Sequence, residues 1–304
     1  MSASWAEQLL GGPLPEEPNA TCADCAMCPA PPADAAAGRK AVYFNPETKC
    51  CTYVPEILNH RAGAILADTD HRMGPGRDSV IARIRRQVAV TPLGLFKPGD
   101  YHLRYERHSS AFGRSKSMLC PHFDSNAAQC GIWPYRPPAC LTYFCKHRRG
   151  AAGQRFWQAL HRFLGALDMS LATRCAVEAG ISAEALCELF PASGGQARPS
   201  VLSPDGDVDP ASYARLWGNW LGHEAEFYLR CAGLAETVDF LTLLTAGGPE
   251  LRVLAQIVLT RHQQLIEPRL PERLEAGPFR ILDVHSGGCR VQSYSPYDPI
   301  DVPL

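Results

Sequence analysis

Cysteine is the residue type in this sequence with the clearest potential for chemistry, and most of the cysteines are clustered. Nine of the thirteen cysteines precede residue 146. Disulfides are rare in reducing compartments, so clustered cysteines without a secretory context indicate metal ligands first. We therefore predict that nine thiols bind metal: Cys22, Cys25, Cys28, Cys50, Cys51, Cys120, Cys130, Cys140 and Cys145.

The first three of these cysteines follow a spacing that is typical of metal-binding loops. The stretch TCADCAMCP places Cys22, Cys25 and Cys28 in a C-x2-C-x2-C pattern. Such a loop can wrap three sulfurs around one centre, as in the cluster-binding run of bacterial ferredoxins. Zinc sites more often use two separated C-x2-C pairs. The spacing favours an iron–sulfur cluster, of the 4Fe–4S type, and zinc is the alternative.

The next two cysteines, Cys50 and Cys51, are adjacent in the chain. If they lie in a strand, their side chains point to opposite faces, so only one of them serves a given centre. Either the two thiols divide between two centres, or one binds metal and the other packs. The sequence leaves both alternatives open.

The last four cysteines of the cluster lie in a block dense in turns, CPHFDSNAAQCGIWPYRPPACLTYFCKH. Prolines near the thiols stiffen the loop and lower the entropy cost of gathering ligands. Arg136 is a candidate cofactor-binding residue, because its guanidinium can hydrogen-bond backbone carbonyls or offset the negative charge of clustered thiolates. The alternative for Arg136 is an ordinary surface turn. His122 and His147 are weaker candidates that more often support a site than ligate metal.

The run CGIWPYRPPAC, from Cys130 to Cys140, resembles a family signature, C-x-I-[YW]-x-x-R-P-x-x-C. This is the signature of the YkgJ-type cysteine-cluster proteins, which are described as zinc- or iron-chelating domains. Their C-x2-C-x2-C-C signature is similar to the run from Cys22 to Cys28, although Pro29 replaces its fourth cysteine and a Cys-Cys pair stands at 50–51 instead. The resemblance covers residues 20–148 and implies metal binding in that region.

Several elements must position these thiols, and their patterns predict an α+β fold. We expect an irregular, turn-rich cysteine-cluster half with short strands, then a mainly helical half and a C-terminal β-hairpin. The predicted organisation is a flexible arm (1–21), a metal-binding region (22–150) and a helical region packed on it (151–304). Local patterns predict a hairpin around 41–54, helices at 55–68, 78–89 and 249–266, a strand at 101–108, a helix from 151, a loop at 192–210, and a helix that Asp209 caps and that runs to Phe227.

Net charge and apolar runs limit the classes of partner expected for this chain. The formal net charge of −1 provides no global field that attracts nucleic acid or anionic lipid. The basic run RIRRQ is expected to form the solvated face of a helix. No apolar run reaches the roughly 18 residues of a membrane span, and the N-terminus lacks the pattern of a signal peptide. We expect a cytoplasmic protein whose partner is an unidentified peptide, protein or small molecule.

Three functions are compatible with these residues. The first is a metal-binding protein with an iron–sulfur centre that is redox-active or catalytic through an open iron site. The second is an enzyme that uses the cluster to modify a peptide or protein side chain, since flagellin lysine methylases carry a loosely similar cysteine cluster. The third is a structural zinc module of an interaction protein. We interpret Cys175, Cys187, Cys231 and Cys289 as core or incidental thiols.

Overall fold

The fold is α+β, and helices dominate it. The structure, a computed structural model, describes residues 2–17, 21–23, 25–28, 44–189, 209–267 and 277–303. The predicted loop at 192–210 and the first predicted strand, 41–44, lie almost entirely outside these residues. The helices are α1 (Ser2–Leu10), α2 (Asn59–Ala67), α3 (Gly74–Arg85), α4 (Gly99–His108), α5 (Pro138–Leu141), α6 (Gly150–Glu178), α7 (Ala183–Leu189), α8 (Pro210–Trp217), α9 (Glu224–Glu236), α10 (Phe240–Ala246) and α11 (Gly248–Ile266).

The longest helix, α6, is the centre of the hydrophobic core. Its apolar stripe recurs at helical spacing, and Phe156, Leu160, Phe163 and Leu167 are all fully buried. α6 packs against α2, α9 and α11, and α2 also packs against α9. The core cluster includes residues from the cysteine-rich half as well as from the helical half.

The N-terminal segment differs from its prediction as a flexible arm. Residues Ser2–Leu10 form α1, and Trp5 and Ala6 are buried in the main core. Glu17 beyond this helix accepts hydrogen bonds from Trp157 Nε1 at 2.8 Å and from the backbone N–H of Arg148 at 2.7 Å. The Pro- and Glu-rich composition of this stretch indicated an arm. The buried Trp5 and the two hydrogen bonds of Glu17 instead hold it against the core.

Two small antiparallel sheets lie in the cysteine-rich half. One has the order β1-β3-β2, and the other pairs β4 with β5. The bounds are β1 (Ile57–Leu58), β2 (Val90–Thr91), β3 (Gly94–Leu95), β4 (Phe123–Asp124) and β5 (Gln129–Cys130). Phe123 pairs with Cys130. This pairing brings the segment that follows Cys120 beside the start of the run from Cys130 to Cys140, here called the Arg-Pro turn after its Arg136 and Pro137.

Two strand predictions in this half are wrong. Residues 101–108 are helical and belong to α4. The alternation of Tyr101, Leu103 and Tyr105 was ambiguous, because residues four apart, such as Tyr101 and Tyr105, also share a face of a helix. Their rings stack 5.8 Å apart, whereas Leu103 is exposed. Residues 46–52, expected in a hairpin, form consecutive turns.

The helix prediction from Pro210 to Phe227 is partly correct. Asp209 caps α8 by accepting a hydrogen bond from the Ser212 backbone N–H at 2.9 Å, as predicted. α8 ends at Trp217 because Gly218 adopts a φ of 51°, which a side chain disfavours, and α9 begins only at Glu224. The helix predicted at 249–266 is confirmed as α11.

The C-terminal hairpin is confirmed, with a third strand added. β6 (Arg280–His285) pairs with β7 (Gly288–Gln292), which also pairs with β8 (Ile300–Pro303). The segment after β7 returns toward the cysteine-rich half, where Ser295 Oγ donates a hydrogen bond to the Cys145 carbonyl at 3.3 Å. Among the described residues, no helix is both long and apolar enough for a membrane span.

Candidate metal centre

The segment from Cys22 to Cys28 is held against the rest of the cysteine-rich half by three contacts. Cys28 Sγ donates to the Phe44 carbonyl at 3.6 Å, and the Phe44 N–H donates to the Met27 carbonyl at 2.7 Å. Lys49 Nζ donates to the carbonyls of Cys22 and Ala128, each at 2.5 Å. Lys49 therefore ties this segment to the turn between β4 and β5.

The adjacent Cys50 and Cys51 lie in the consecutive turns at 46–52, not in a strand. Their thiols are therefore not directed to opposite faces, and they hydrogen-bond each other. The Cys51 carbonyl accepts a hydrogen bond from the Cys120 N–H at 2.7 Å. This bond places the start of the 120–145 block beside the Cys-Cys pair.

The Arg-Pro turn positions the remaining thiols. The Cys140 N–H donates to the Pro137 carbonyl at 2.9 Å at the start of α5, which begins with Pro138 at its first position. The Arg136 guanidinium lies 3.4 Å from the centre of the Trp133 ring, and its Nε donates to the Trp133 carbonyl at 3.3 Å. This hydrogen bond stays within the exposed turn and fits both roles considered for Arg136, a cofactor-binding residue and an ordinary surface turn.

Eight of the nine clustered cysteines line one cavity of about 550 Å³. The ninth, Cys28, does not line the cavity. Its thiol hydrogen-bonds the thiol of Cys25, which does line it. All thirteen cysteines are free thiols. The cavity-lining thiols are those of Cys22, Cys25, Cys50, Cys51, Cys120, Cys130, Cys140 and Cys145.

Aromatic rings form much of the remaining wall. Tyr53 and Tyr105 lie on one side, and their rings meet edge to face. Phe112, Tyr143 and Tyr297 form another group in the wall, in which Phe112 contacts both tyrosines. No local pattern in the sequence indicates this wall, because its members are dispersed from residue 53 to residue 297 and meet only in the folded chain.

Burial sets the protonation of most of these thiols. Loss of solvent raises the pKa of Cys130 to about 11 and the pKa of Cys120 to about 12. It also raises the pKa of Cys140 well above its ordinary value, and the charge of Arg136 acts against this rise at both Cys130 and Cys140. Without a metal these thiols stay protonated at neutral pH.

Cys50 is the exception among them. A hydrogen bond from the Cys51 thiol lowers the pKa of Cys50 to about 7, and this effect outweighs burial. Arg136 and Lys49 lower the pKa of Cys50 further. The same hydrogen bond raises the pKa of Cys51. The Cys-Cys pair therefore loses its first proton more readily than the other buried thiols of the cavity.

Among the described residues, no three His, Cys, Asp or Glu side chains converge as ligands of one metal ion. A tetrahedral zinc site with bonds of 2.3 Å requires sulfurs about 3.8 Å apart. The thiols line one cavity without this convergence.

The sequence placed the other four cysteines outside the site, and none of them lines the cavity. Cys175 and Cys231 are buried in the helical core, Cys187 is exposed, and Cys289 is half-buried on β7.

Arg83 of the RIRRQ run was expected on a solvated face and is buried instead, whereas Arg85 and Arg86 are exposed.

No protein-family model, curated protein or solved structure matches this chain.

Proposed function

We propose that the cysteine-lined cavity binds an iron–sulfur cluster and that metal binding is the function of this half of the protein. The observation that carries the proposal is the gathering of eight thiols around one cavity. These thiols come from three separate stretches of the chain, 22–25, 50–51 and 120–145. Cysteine thiolate is the usual protein ligand of iron–sulfur clusters.

The size of the cavity supports a cluster over a single zinc ion. Four iron and four sulfide atoms hold their thiolate ligands farther apart than one zinc ion does, which suits thiols that line a cavity without converging. A structural zinc module is the less favoured alternative for the same reason. When bound, an iron–sulfur cluster supplies one-electron transfer, or Lewis-acid chemistry at an iron without a protein ligand.

The charges around the cavity also favour an anionic group. Arg136 and Lys49 lie in its wall, and the guanidinium of Arg136 acts on the thiols of Cys22, Cys50 and Cys130. Fixed cations near thiolates favour the deprotonated, metal-binding form of cysteine. This chain therefore holds the thiols together, keeps cations beside them and limits the access of water through the aromatic wall.

A second candidate is an enzyme that modifies a peptide or protein side chain at the same centre. The volume of about 550 Å³ and the aromatic wall favour it, because ligand pockets typically measure 300–1,000 Å³ and are lined by aromatic side chains. Gln158 and His161 of α6 and Trp133 are exposed residues that also line the cavity. Free thiols in this number fit a reducing compartment such as the cytoplasm.

Purification without oxygen tests the proposal. We expect a brown protein with broad visible absorption, and iron and acid-labile sulfide in similar amounts. A colourless protein with stoichiometric zinc would replace the iron–sulfur proposal with the zinc module. A colourless protein without metal would refute metal binding altogether.

A further inference from the structure

His122 lies in the wall of the cysteine cavity, and its hydrogen-bond partners indicate which of its ring nitrogens carries the proton. Its Nδ1 is 2.7 Å from Ser79 Oγ, and Ser79 Oγ donates a hydrogen bond to the Gly76 carbonyl at 2.6 Å. A hydroxyl has one proton, and a carbonyl oxygen only accepts. Ser79 therefore uses its proton on Gly76 and accepts the hydrogen bond of His122 Nδ1–H.

The other nitrogen, Nε2, is then left with a free lone pair. The His122 side chain is 2% exposed, and Nε2 has no hydrogen-bond partner among the described residues. Buried polar atoms are nearly always paired, so an unpaired lone pair requires an explanation. A neutral imidazole whose Nδ1–H is held by a neighbour is the usual form of a histidine that binds metal through Nε2.

The backbone places His122 beside two of the clustered cysteines in the wall of the cavity. His122 follows Cys120 by two residues, and its carbonyl accepts a hydrogen bond from the Gly131 N–H at 2.9 Å, next to Cys130. α3 packs closely on this hairpin, since a Cβ at Gly76 would lie 2.3 Å from the Gly131 carbonyl oxygen. The close approach keeps Ser79 within reach of the ring.

We propose that His122 Nε2 is a nitrogen ligand of the metal centre, in addition to the cysteine thiols. The inference rests on the iron–sulfur function proposed above and adds an imidazole to its ligands. Histidine takes the place of cysteine in known iron–sulfur centres. His147 also lines the cavity with an unpartnered nitrogen, Nδ1, but no neighbour defines its proton position, and we assign it no role.

A different occupant of the lone pair would be a water molecule. Arg83 lies one helical turn beyond Ser79 on α3, and its Nη1 is likewise buried without a partner among the described residues. A water that bridges Arg83 Nη1 and His122 Nε2 would satisfy both groups and leave the imidazole off the metal. The experiment must separate this arrangement from ligation.

Pulsed electron paramagnetic resonance distinguishes ligation by His122 from a bridging water. The sample is anaerobically purified protein that is labelled with ¹⁵N-histidine and whose metal centre has been reduced. We expect the strong nitrogen coupling of a directly coordinated imidazole, and its loss in His122→Gln. Iron-containing protein without this coupling, or a coupling that survives in His122→Gln, would overturn the proposal. If the metal is zinc, X-ray absorption decides in the same way, by the presence or absence of imidazole scattering.

Ser79→Ala keeps the proposal testable if His122→Gln fails to fold. This variant frees the imidazole without removing it, and loss of such a partner typically weakens metal binding 10- to 100-fold. Ser170→Ala is the matched control, because Ser170 Oγ makes the same kind of hydrogen bond to its own helix, to Ala166, but has no histidine partner. Equal metal affinity in the two variants would contradict ligation by His122. Wild-type protein without metal would instead refute the proposed function itself.

Discussion

Arg61 on α2 and Asp168 on α6 form a bidentate ion pair in the protein interior. Arg61 Nε and Nη2 donate to the two carboxylate oxygens of Asp168 at 2.6 and 2.8 Å. The side chains are only 8% and 2% exposed. Arg61 Nη1 also donates to the Arg136 carbonyl at 3.4 Å, so the pair connects the helical core to the Arg-Pro turn beside the cysteines.

Removal of one partner from this pair is expected to destabilise the protein strongly. Asp168→Asn removes the carboxylate that pairs with the buried Arg61 guanidinium, and breaking a buried ion pair typically costs about 3–5 kcal/mol of unfolding free energy. Urea denaturation measures this cost. Glu178→Gln, which breaks the exposed pair Arg174–Glu178, is the control and is expected to cost no more than about 0.5 kcal/mol. Similar losses in both variants would show that burial of the pair has no consequence.

The pH dependence of stability should contain a contribution from His60, whose Nε2 is 3.2 Å from Asp168 Oδ1. Burial lowers the pKa of His60, and this effect outweighs the attraction of Asp168. The folded protein thus keeps His60 neutral, while the unfolded chain takes up a proton below about pH 6.5. The stabilisation is present above that pH and is lost as the pH falls, by at most about 1.4 kcal/mol per pH unit.

His60→Gln should therefore flatten the stability profile between pH 6.5 and 5. Urea midpoints across this range provide the measurement, and His71→Gln is the control, because the His71 side chain is 91% exposed. An unchanged slope in His60→Gln would mean that His60 does not remain neutral in the folded protein.

The sequence predicted the helical half better than the arrangement of the site. α6 and α11 repeat apolar residues over many turns, so local periodicity alone defines them. Cys50 and Cys51 are different, because their conformation depends on Thr48 Oγ1, which donates to the carbonyl of Gly113, 65 residues away. Arg83 was misplaced for a similar reason: its burial follows from the packing of α3 on α9 and β4, which composition does not encode.

Single cysteine substitutions test which thiols bind the metal. We expect Cys25→Ser and Cys140→Ser to lose metal, because both thiols line the cavity. Cys231→Ser should retain it, because Cys231 is fully buried in the helical core, although the buried hydroxyl will lower stability. Iron and zinc analysis of the three purified variants gives the answer. Equal metal content in all three would refute the ligand assignment.

Metal binding should release protons. Burial raises the pKa of Cys120 and Cys145 to about 12 and that of Cys130 to about 11, so metal-free protein carries these thiols protonated at pH 7. The metal must displace these protons, and its affinity should fall as the pH decreases. Calorimetric titration of metal-free protein with Zn²⁺ as a probe, in two buffers of different ionisation enthalpy, counts them. Binding without proton release would exclude these thiols as ligands.

Arg83 should supply positive charge to the centre. Its side chain is 6% exposed, and among the described residues no carboxylate lies within ion-pair distance of it. Burial lowers the pKa of Arg83 to about 10 and the neighbouring Cys120 acts in the opposite direction, so the guanidinium remains charged at pH 7. Arg83 Nη2 donates to the carbonyls of Val88 and Phe96, which satisfies its hydrogen bonds without neutralising its charge. Because a buried uncompensated charge is costly, an anionic thiolate centre at Cys120 is the opposite charge that the surroundings offer.

Arg83→Gln should therefore shift the reduction potential of the centre to more negative values, since the reduced, more negative form loses a nearby cation. It should also make metal retention more sensitive to acid, because Arg83 favours the thiolate form of Cys120. Electrochemical titration and metal analysis across pH measure these two effects. Arg85→Gln removes an exposed charge from the same helix and is the matched control. If both variants keep the wild-type potential, Arg83 is a structural cation only.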